Sequence, residues 1–445
     1  MKYNKIRNLV FVFALSLLAF ACSDSSTSSN ADQAKVNGRV ENNQSKKAKS
    51  AGTNQQMASV EGATVTAARV NSDGSLQMID NAKATTDAQG KFTLKINADA
   101  AANAAGKIVV IAKSNSQKWK GVVVGKLKSN SSVDMKPLTV ESSGEANVFQ
   151  QIVADGGTDM VTKADIETYV DQNAAADIKS NSDAAAQFAS ALEAEAQTRA
   201  QFFANQSADI TDQQMTDIKN AKAQALANLN ASLYASSSSS AKADAYQAFF
   251  KAMANAYSKA DVSANVYAKA KESASHMLIK NMTMLSSSAR SQVRADAAYV
   301  VAIAIDNAVQ ARMKAANASD SSVQAAAEAG TKLRADLSAK TTATKDEIDS
   351  VFETYNNAIV DVMKTEFSAN AQTMVDINSQ INSTGGIKAQ LQSSIESSAS
   401  ADVLVQAYVT FISNVKSIVD NTFSSATNAQ AQLVTNVMVL INLGN

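Results

Sequence analysis

Thr85-Thr86-Asp87-Ala88-Gln89-Gly90, running straight into Lys91-Phe92-Thr93-Leu94-Lys95-Ile96, is a turn feeding a strand in which polar and apolar residues alternate. Side chains of a strand point to opposite faces in turn, so Phe92, Leu94 and Ile96 share one face and the lysines share the other. Upstream, Val36-Asn37-Gly38-Arg39-Val40 reads as a short strand and 63–70 as an alternating one. Asn71-Ser72-Asp73-Gly74 is a turn that leads into 76–79. Downstream, 107–113 is a near-continuous apolar run suited to a sandwich core, and 120–127 is a further strand. The stretch 133–140 closes the set around the sole proline, Pro137, which belongs at a strand edge. Short strands between regular turns predict a β-sandwich over 35–142.

From about Gly144 the pattern changes. Ala, Ser, Gln and Asn dominate, and no proline occurs in the rest of the chain, a helix signal because proline costs about 3 kcal/mol inside one. Thr211-Asp212-Gln213-Gln214 and Thr344-Lys345-Asp346-Glu347 both fit the helix-opening capping box. Behind the second, Ile348, Val351, Phe352, Tyr355, Ile359, Val362 and Met363 fall on one helical face. Leu404, Tyr408, Phe411, Ile412, Val415 and Ile418 form another such stripe. A third, Met215, Ile218, Leu226, Leu229 and Leu233, is interrupted by Lys222. Breaks fall at 236–240, around 317–321 and at Gly385-Gly386, and 297–305 is apolar all round, as in a buried central helix. The expected fold class is α+β and multidomain: a small N-terminal β-sandwich, then a large all-α, Ala-rich helical bundle over 143–445.

The chain has 445 residues, with 41 Lys+Arg against 41 Asp+Glu, one His, one Cys, one Trp and one Pro. A formal charge of zero excludes the overall basic balance of a nucleic-acid binder, so no nucleic-acid partner is expected. One Cys and one His exclude both an intrachain disulfide and a tetrahedral Cys/His zinc site.

The N-terminus carries an address. Lys2, Lys5 and Arg7 form a basic segment, 9–20 an apolar one, and small residues flank its end, the layout of a secretory signal over 1–21. Leu18-Ala19-Phe20-Ala21-Cys22 resembles the lipobox of bacterial lipoproteins, with Ala19 where that family prefers Leu, Val or Ile. The resemblance implies a diacylglyceryl thioether on Cys22, cleavage before it and acylation of the new amino terminus. Ser23, rather than Asp, after the Cys implies an outer-membrane destination in a diderm host. The alternative is an ordinary signal with an incidental Cys22. The segment 22–34, rich in Ser, reads as a tether.

The β region also resembles a known family. Val36-Asn37-Gly38-Arg39-Val40, Val60-Glu61-Gly62-Ala63-Thr64-Val65 and Thr86-Asp87-Ala88-Gln89-Gly90-Lys91-Phe92-Thr93-Leu94 are similar to elements of the carboxypeptidase regulatory-like, transthyretin-like sandwiches, in that family's order. The resemblance implies a non-catalytic accessory module used as a spacer or for contacts.

Candidates for chemistry are few. His276, beside Met277, Met282 and Met284, is the single imidazole, and no Gly-x-Ser-x-Gly elbow stands near it. Asp165/Glu167, Glu193/Glu195 and Asp346/Glu347 read as solvated carboxylates on helix faces. Trp119, between Lys118 and Lys120, is the candidate contact residue. No catalytic residue, metal site or cofactor is expected. The leading expectation is a non-enzymatic, membrane-anchored lipoprotein of the cell envelope, held by lipid on Cys22. It would serve a structural, adhesive or interaction role toward an envelope protein or glycan. The second expectation is an envelope protein that binds a small ligand between bundle helices; a hydrolase ranks third.

Overall fold

The computed structural model describes residues 32–42 and 58–444, apart from 116, 182, 207–209, 237, 284 and 341. The signal, Cys22, most of the tether and the basic loop with Lys46, Lys47 and Lys49 lie outside the described residues. Residues Asp32–Asn445 form one compact unit.

The strands are β1 (Gln33–Arg39), β2 (Glu41–Asn42), β3 (Ala58–Ser59), β4 (Thr64–Val70), β5 (Leu76–Thr85), β6 (Lys91–Asn97), β7 (Ile108–Ser114), β8 (Gln117–Val122) and β9 (Ser132–Asp134). One sheet has the order β6-β1-β9, with β1 antiparallel to β6 and parallel to β9. The other has the order β5-β4-β7-β8, antiparallel throughout. Val36, Leu94 and Ile96 of the first sheet share a core with Val65, Val110 and Ala112 of the second, which makes the sandwich. Close approach requires glycine here: a Cβ on Gly38 would lie 2.4 Å from the Phe92 ring, and one on Gly121 2.4 Å from Leu138.

The helices are α1 (Ala98–Asn103), α2 (Val140–Ala154), α3 (Lys163–Tyr169), α4 (Gln172–Ser180), α5 (Ala184–Gln206), α6 (Asp212–Ala235), α7 (Ser239–Lys259) and α8 (Ala264–Asn281). They continue as α9 (Ser287–Ala315), α10 (Asp320–Ser338), α11 (Lys345–Glu366), α12 (Ala371–Asn382), α13 (Ile387–Ser397), α14 (Ala401–Thr422) and α15 (Asn428–Ile441). Both expected capping boxes form, Thr211 with Gln214 and Thr344 with Glu347. The expected breaks separate α6 from α7, α9 from α10 and α12 from α13, and every residue of 297–305 is buried in α9. No described helix is long and apolar enough to cross a membrane.

Two details differ from the sequence reading. Strand β9 ends at Asp134, and α2 already opens at Val140, because Thr139 and Ser142 exchange hydrogen bonds in a capping box of their own. The apolar run in β7 serves two interiors. Val110 and Ala112 enter the sandwich, while Val109 and Ile111 pack with Phe149 and Ile152 of α2 and Phe188 of α5. The four-stranded sheet is thus covered on both faces, like the sheet of a layered α/β protein. Small residues bring the helices close as well: a Cβ on Gly144 of α2 would stand 2.7 Å from that of Ala175 on α4.

Candidate functional site: a cavity beneath His276

Helix α8 is the anomaly of the interior. It packs among α5, α7, α9, α14 and α15, yet Lys269, Lys271, Glu272 and Ser273 on it are all buried. Buried charge must be paired or neutralised, and the two sides of α8 meet that demand differently.

On one side, α8 joins an ion network. Lys271 Nζ donates to Glu195 Oε1 and to the Tyr169 hydroxyl, each at 2.9 Å. Arg199 bridges Glu195 at 3.0 Å and Asp165 at 3.4 Å, and Lys222 reaches Asp165 at 2.9 Å. Burial works to raise the Asp165 carboxyl, but Lys222, Arg199 and Lys271 outweigh it and hold the group well below the usual range. A related cluster lies where sandwich meets helices. Lys136 Nζ stands 2.6 Å from both Glu145 and Glu167 and 3.7 Å from Glu141. Those three carboxylates come within 4.8 Å of one another, a spacing that would suit a metal ion. The Lys136 ammonium is the cation they hold. The reading of Asp165, Glu167 and Glu195 as solvated is therefore corrected: all three are buried and paired. Asp346 and Glu347 are exposed, as expected.

On its other side, α8 lines a cavity of about 300 Å³. Glu272, Ser275, His276, Ile279 and Lys280 recur at helical spacing, so one face of α8 presents them together. Arg294, Ala298 and Val301 of α9 form a second wall, and Lys345, Ile348, Asp349 and Phe352 of α11 a third. Ile395 and Glu396 at the end of α13, with Gly444, complete the lining. The interior is apolar and charged groups gather at the rim.

His276 is turned by its neighbours. Its Nδ1 lies 2.5 Å from the Tyr408 hydroxyl of α14, 3.1 Å from the Glu272 carbonyl and 3.2 Å from Glu272 Oε1. Burial lowers the imidazole pKa to about 4, against the raising effect of the Glu272 carbonyl, and Lys345 adds to the lowering. Burial, with Asp349 nearby, pushes the Glu272 carboxyl well above its ordinary range. Burial and Glu272 do the same to the Tyr408 hydroxyl. Burial thus disfavours the charged form of all three groups. The Glu272 carbonyl can only accept, so the ring hydrogen of the neutral imidazole sits on Nδ1, with the Tyr408 oxygen beside it, and Nε2 is bare. Nε2 has no partner among the described residues, so it is a hydrogen-bond acceptor available to the cavity.

The rim is anchored by two cations. Lys280 Nζ donates to the carbonyls of Ile395, Glu396 and Ser398, pinning the end of α13 across the opening. Lys345 is paired with Asp349 at 2.6 Å.

Trp119, the candidate contact residue whose other reading is a core or rim residue of the sandwich, is 4% exposed and packs in the sandwich core opposite Ala112. On a strand, Lys118 and Lys120 face away from their neighbour, so basic flanks carry no information about the tryptophan itself. Met277 and Met282 are core residues. Cys22 lies outside the described residues.

The chain matches no family model, no curated protein and no solved structure.

Proposed function

We propose that this chain is a lipid-anchored envelope protein whose helical region binds a small, largely apolar molecule in the cavity beneath His276. The observation that carries the reading is the cavity itself. It is an apolar space of about 300 Å³, at the lower end of small-molecule sites, with a few converging polar groups of perturbed pKa. The anchor is inferred from the lipobox-like segment ending at Cys22, and the transthyretin-like resemblance of 35–142 fits a module that spaces the helical region from the membrane.

Binding is favoured over turnover because, among the described residues, no hydroxyl or thiol hydrogen-bonds His276 Nε2, so no activated nucleophile faces the cavity. It is favoured over adhesion because the large apolar side chains exposed among the described residues, Met78, Met160, Met215, Val375 and Val403, are scattered over separate elements rather than gathered in a patch.

The test uses the full chain with Cys22→Ala and n-octanol as an uncharged apolar probe. Octanol is expected to raise the melting temperature in a concentration-dependent way. Ala298→Phe, which fills the cavity from α9, is expected to abolish that rise. An equal rise in both proteins would overturn the reading.

A further inference from the structure

The cavity rim holds three cations, and they are not equivalent. Lys280 is consumed by the last carbonyls of α13, and Lys345 is tied to Asp349. Arg294 is half-buried and, among the described residues, makes no hydrogen bond or ion pair. It stands four residues before Ala298 and seven before Val301, on the stripe of α9 that forms the cavity wall. A guanidinium carries five N–H donors in a planar fork, and one at the edge of an apolar space, with none of them engaged, lacks an anion.

The surroundings narrow the choice of anion. Asp349 is already neutralised by Lys345, but Glu396 also sits at the rim, so a doubly charged group would meet repulsion there. Burial, with Asp349 nearby, pushes the Glu272 carboxyl above its ordinary range, which lessens its opposition to an anion. A singly charged, planar group that takes two parallel N–H bonds fits Arg294 best, and that group is a carboxylate. Ile279, Val301, Ile348 and Phe352 leave room behind it for a chain without polar atoms.

We propose that the cavity's ligand is an aliphatic carboxylate of medium chain length, its head paired with Arg294 and its tail against the walls of α8, α9 and α11. The proposal rests on the reading of the cavity as a binding site and adds the identity of the head group.

Calorimetric titration of the full chain carrying Cys22→Ala with sodium octanoate, n-octanol and octylamine tests it. Octanoate is expected to bind at least about ten-fold more tightly than octanol, as one charge-assisted bidentate pair allows. Octylamine is expected to bind more weakly than either. Arg294→Gln should bring octanoate to the octanol level while leaving octanol unchanged, which also reports that the variant's cavity is intact. Glu396→Gln should tighten octanoate alone, by a few-fold. Equal octanoate and octanol affinities, both lost in Ala298→Phe, would overturn the head-group assignment and leave the cavity reading standing. Binding of all three probes unaffected by Ala298→Phe would overturn both.

Discussion

Lys271 and Glu272 are consecutive on α8, yet they face opposite interiors. Lys271 enters a network in which its charge is answered by Glu195 and the Tyr169 hydroxyl. Glu272 enters the cavity, where the group beside it is an imidazole whose charged form burial disfavours, and burial pushes its own carboxyl above the ordinary range. The ion network and the neighbouring Lys136 cluster pair their charges from within, although Glu195 Oε2 has no hydrogen-bond partner among the described residues, and together they hold α2, α3, α5, α6 and α8 to one another. The cavity leaves Nε2 and Arg294 unanswered. Buried polar groups that close on themselves define structure. Those left open to a space in the fold are candidates for recognition.

The comparison breaks most sharply at Asp165. Removing one partner of a buried ion network strands the others, so Asp165→Asn is expected to destabilise the protein by about 3–5 kcal/mol, read by urea unfolding. The sign with pH follows from the depressed carboxyl. Asp165 contributes stability in full above its unfolded value near 4 and loses it as pH falls below that toward the folded value. The acid limb of the stability profile should therefore be shallower in Asp165→Asn. An unchanged acid limb would mean that Asp165 is not held ionised in the fold.

A smaller effect is expected at a third buried pair. Asp306 of α9 is bound by Arg334 and by Gln310, and a Cβ on Gly330 would fall 1.9 Å from Asp306 Oδ1. Gly330→Ala is overpacking against a carboxylate that cannot turn aside without leaving its partners, and should cost about 2 kcal/mol. A double variant with Asp306→Asn would show whether the loss runs through that pair: the two penalties should add to less than their sum.

These buried pairs also mark the limit of what the sequence discloses. The alternation of Phe92, Leu94 and Ile96, the capping boxes at Thr211 and Thr344 and the breaks between helices are local patterns, and local patterns are readable. Whether Asp165 is wet or dry depends on Arg199 and Lys222, which are distant in the chain. The visible hint was Lys222 interrupting an apolar stripe, since a charge on a buried face requires an opposite charge somewhere. For the cavity even that hint is thin. Its walls come from α8, α9, α11 and α13, and of their polar residues the sequence singled out His276 alone, as the single imidazole. Arg294 carries no local signal, because its lack of a partner is a property of the assembled fold.

The same exchange of acid for amide should change sign when moved to Glu272. In the folded protein this carboxyl stays protonated well above its ordinary range, whereas in the unfolded chain it ionises above about 4.5. Folding then takes up a proton, and stability is lost as pH rises above that point. Gln keeps the shape and needs no proton, so Glu272→Gln is expected to stabilise by about 1 kcal/mol at pH 8, where Asp165→Asn destabilises. His276 acts at the other end. Its folded value of about 4 lies below the unfolded 6.5, so its contribution is complete above 6.5 and lost as pH falls toward 4. Thermal melts of the Glu272→Gln variant across pH 3–9 should lose the decline in stability that starts above about 4.5 and match the parent protein below it. Destabilisation at pH 8 would place an ionised carboxylate in the cavity and remove the contrast with Asp165.

The mildest change concerns the strap across the cavity mouth. Lys280 caps the carbonyls at the end of α13, a helix of eleven residues that buries Leu391 and little else. A lysine at a helix C-terminus contributes about 0.3–1 kcal/mol, so Lys280→Met should lower global stability by no more than that. Locally the effect is larger, because a short, lightly buried helix opens at lower free energy than the core does. Hydrogen exchange should therefore accelerate in α13 while α8 and α9 keep their protection. Octanol should then associate and dissociate faster with nearly unchanged affinity, since the mouth loosens but the walls do not. Equal acceleration in α8 would tie Lys280 to the interior instead. The division between a charge-paired network and an open cavity would then not run along α8.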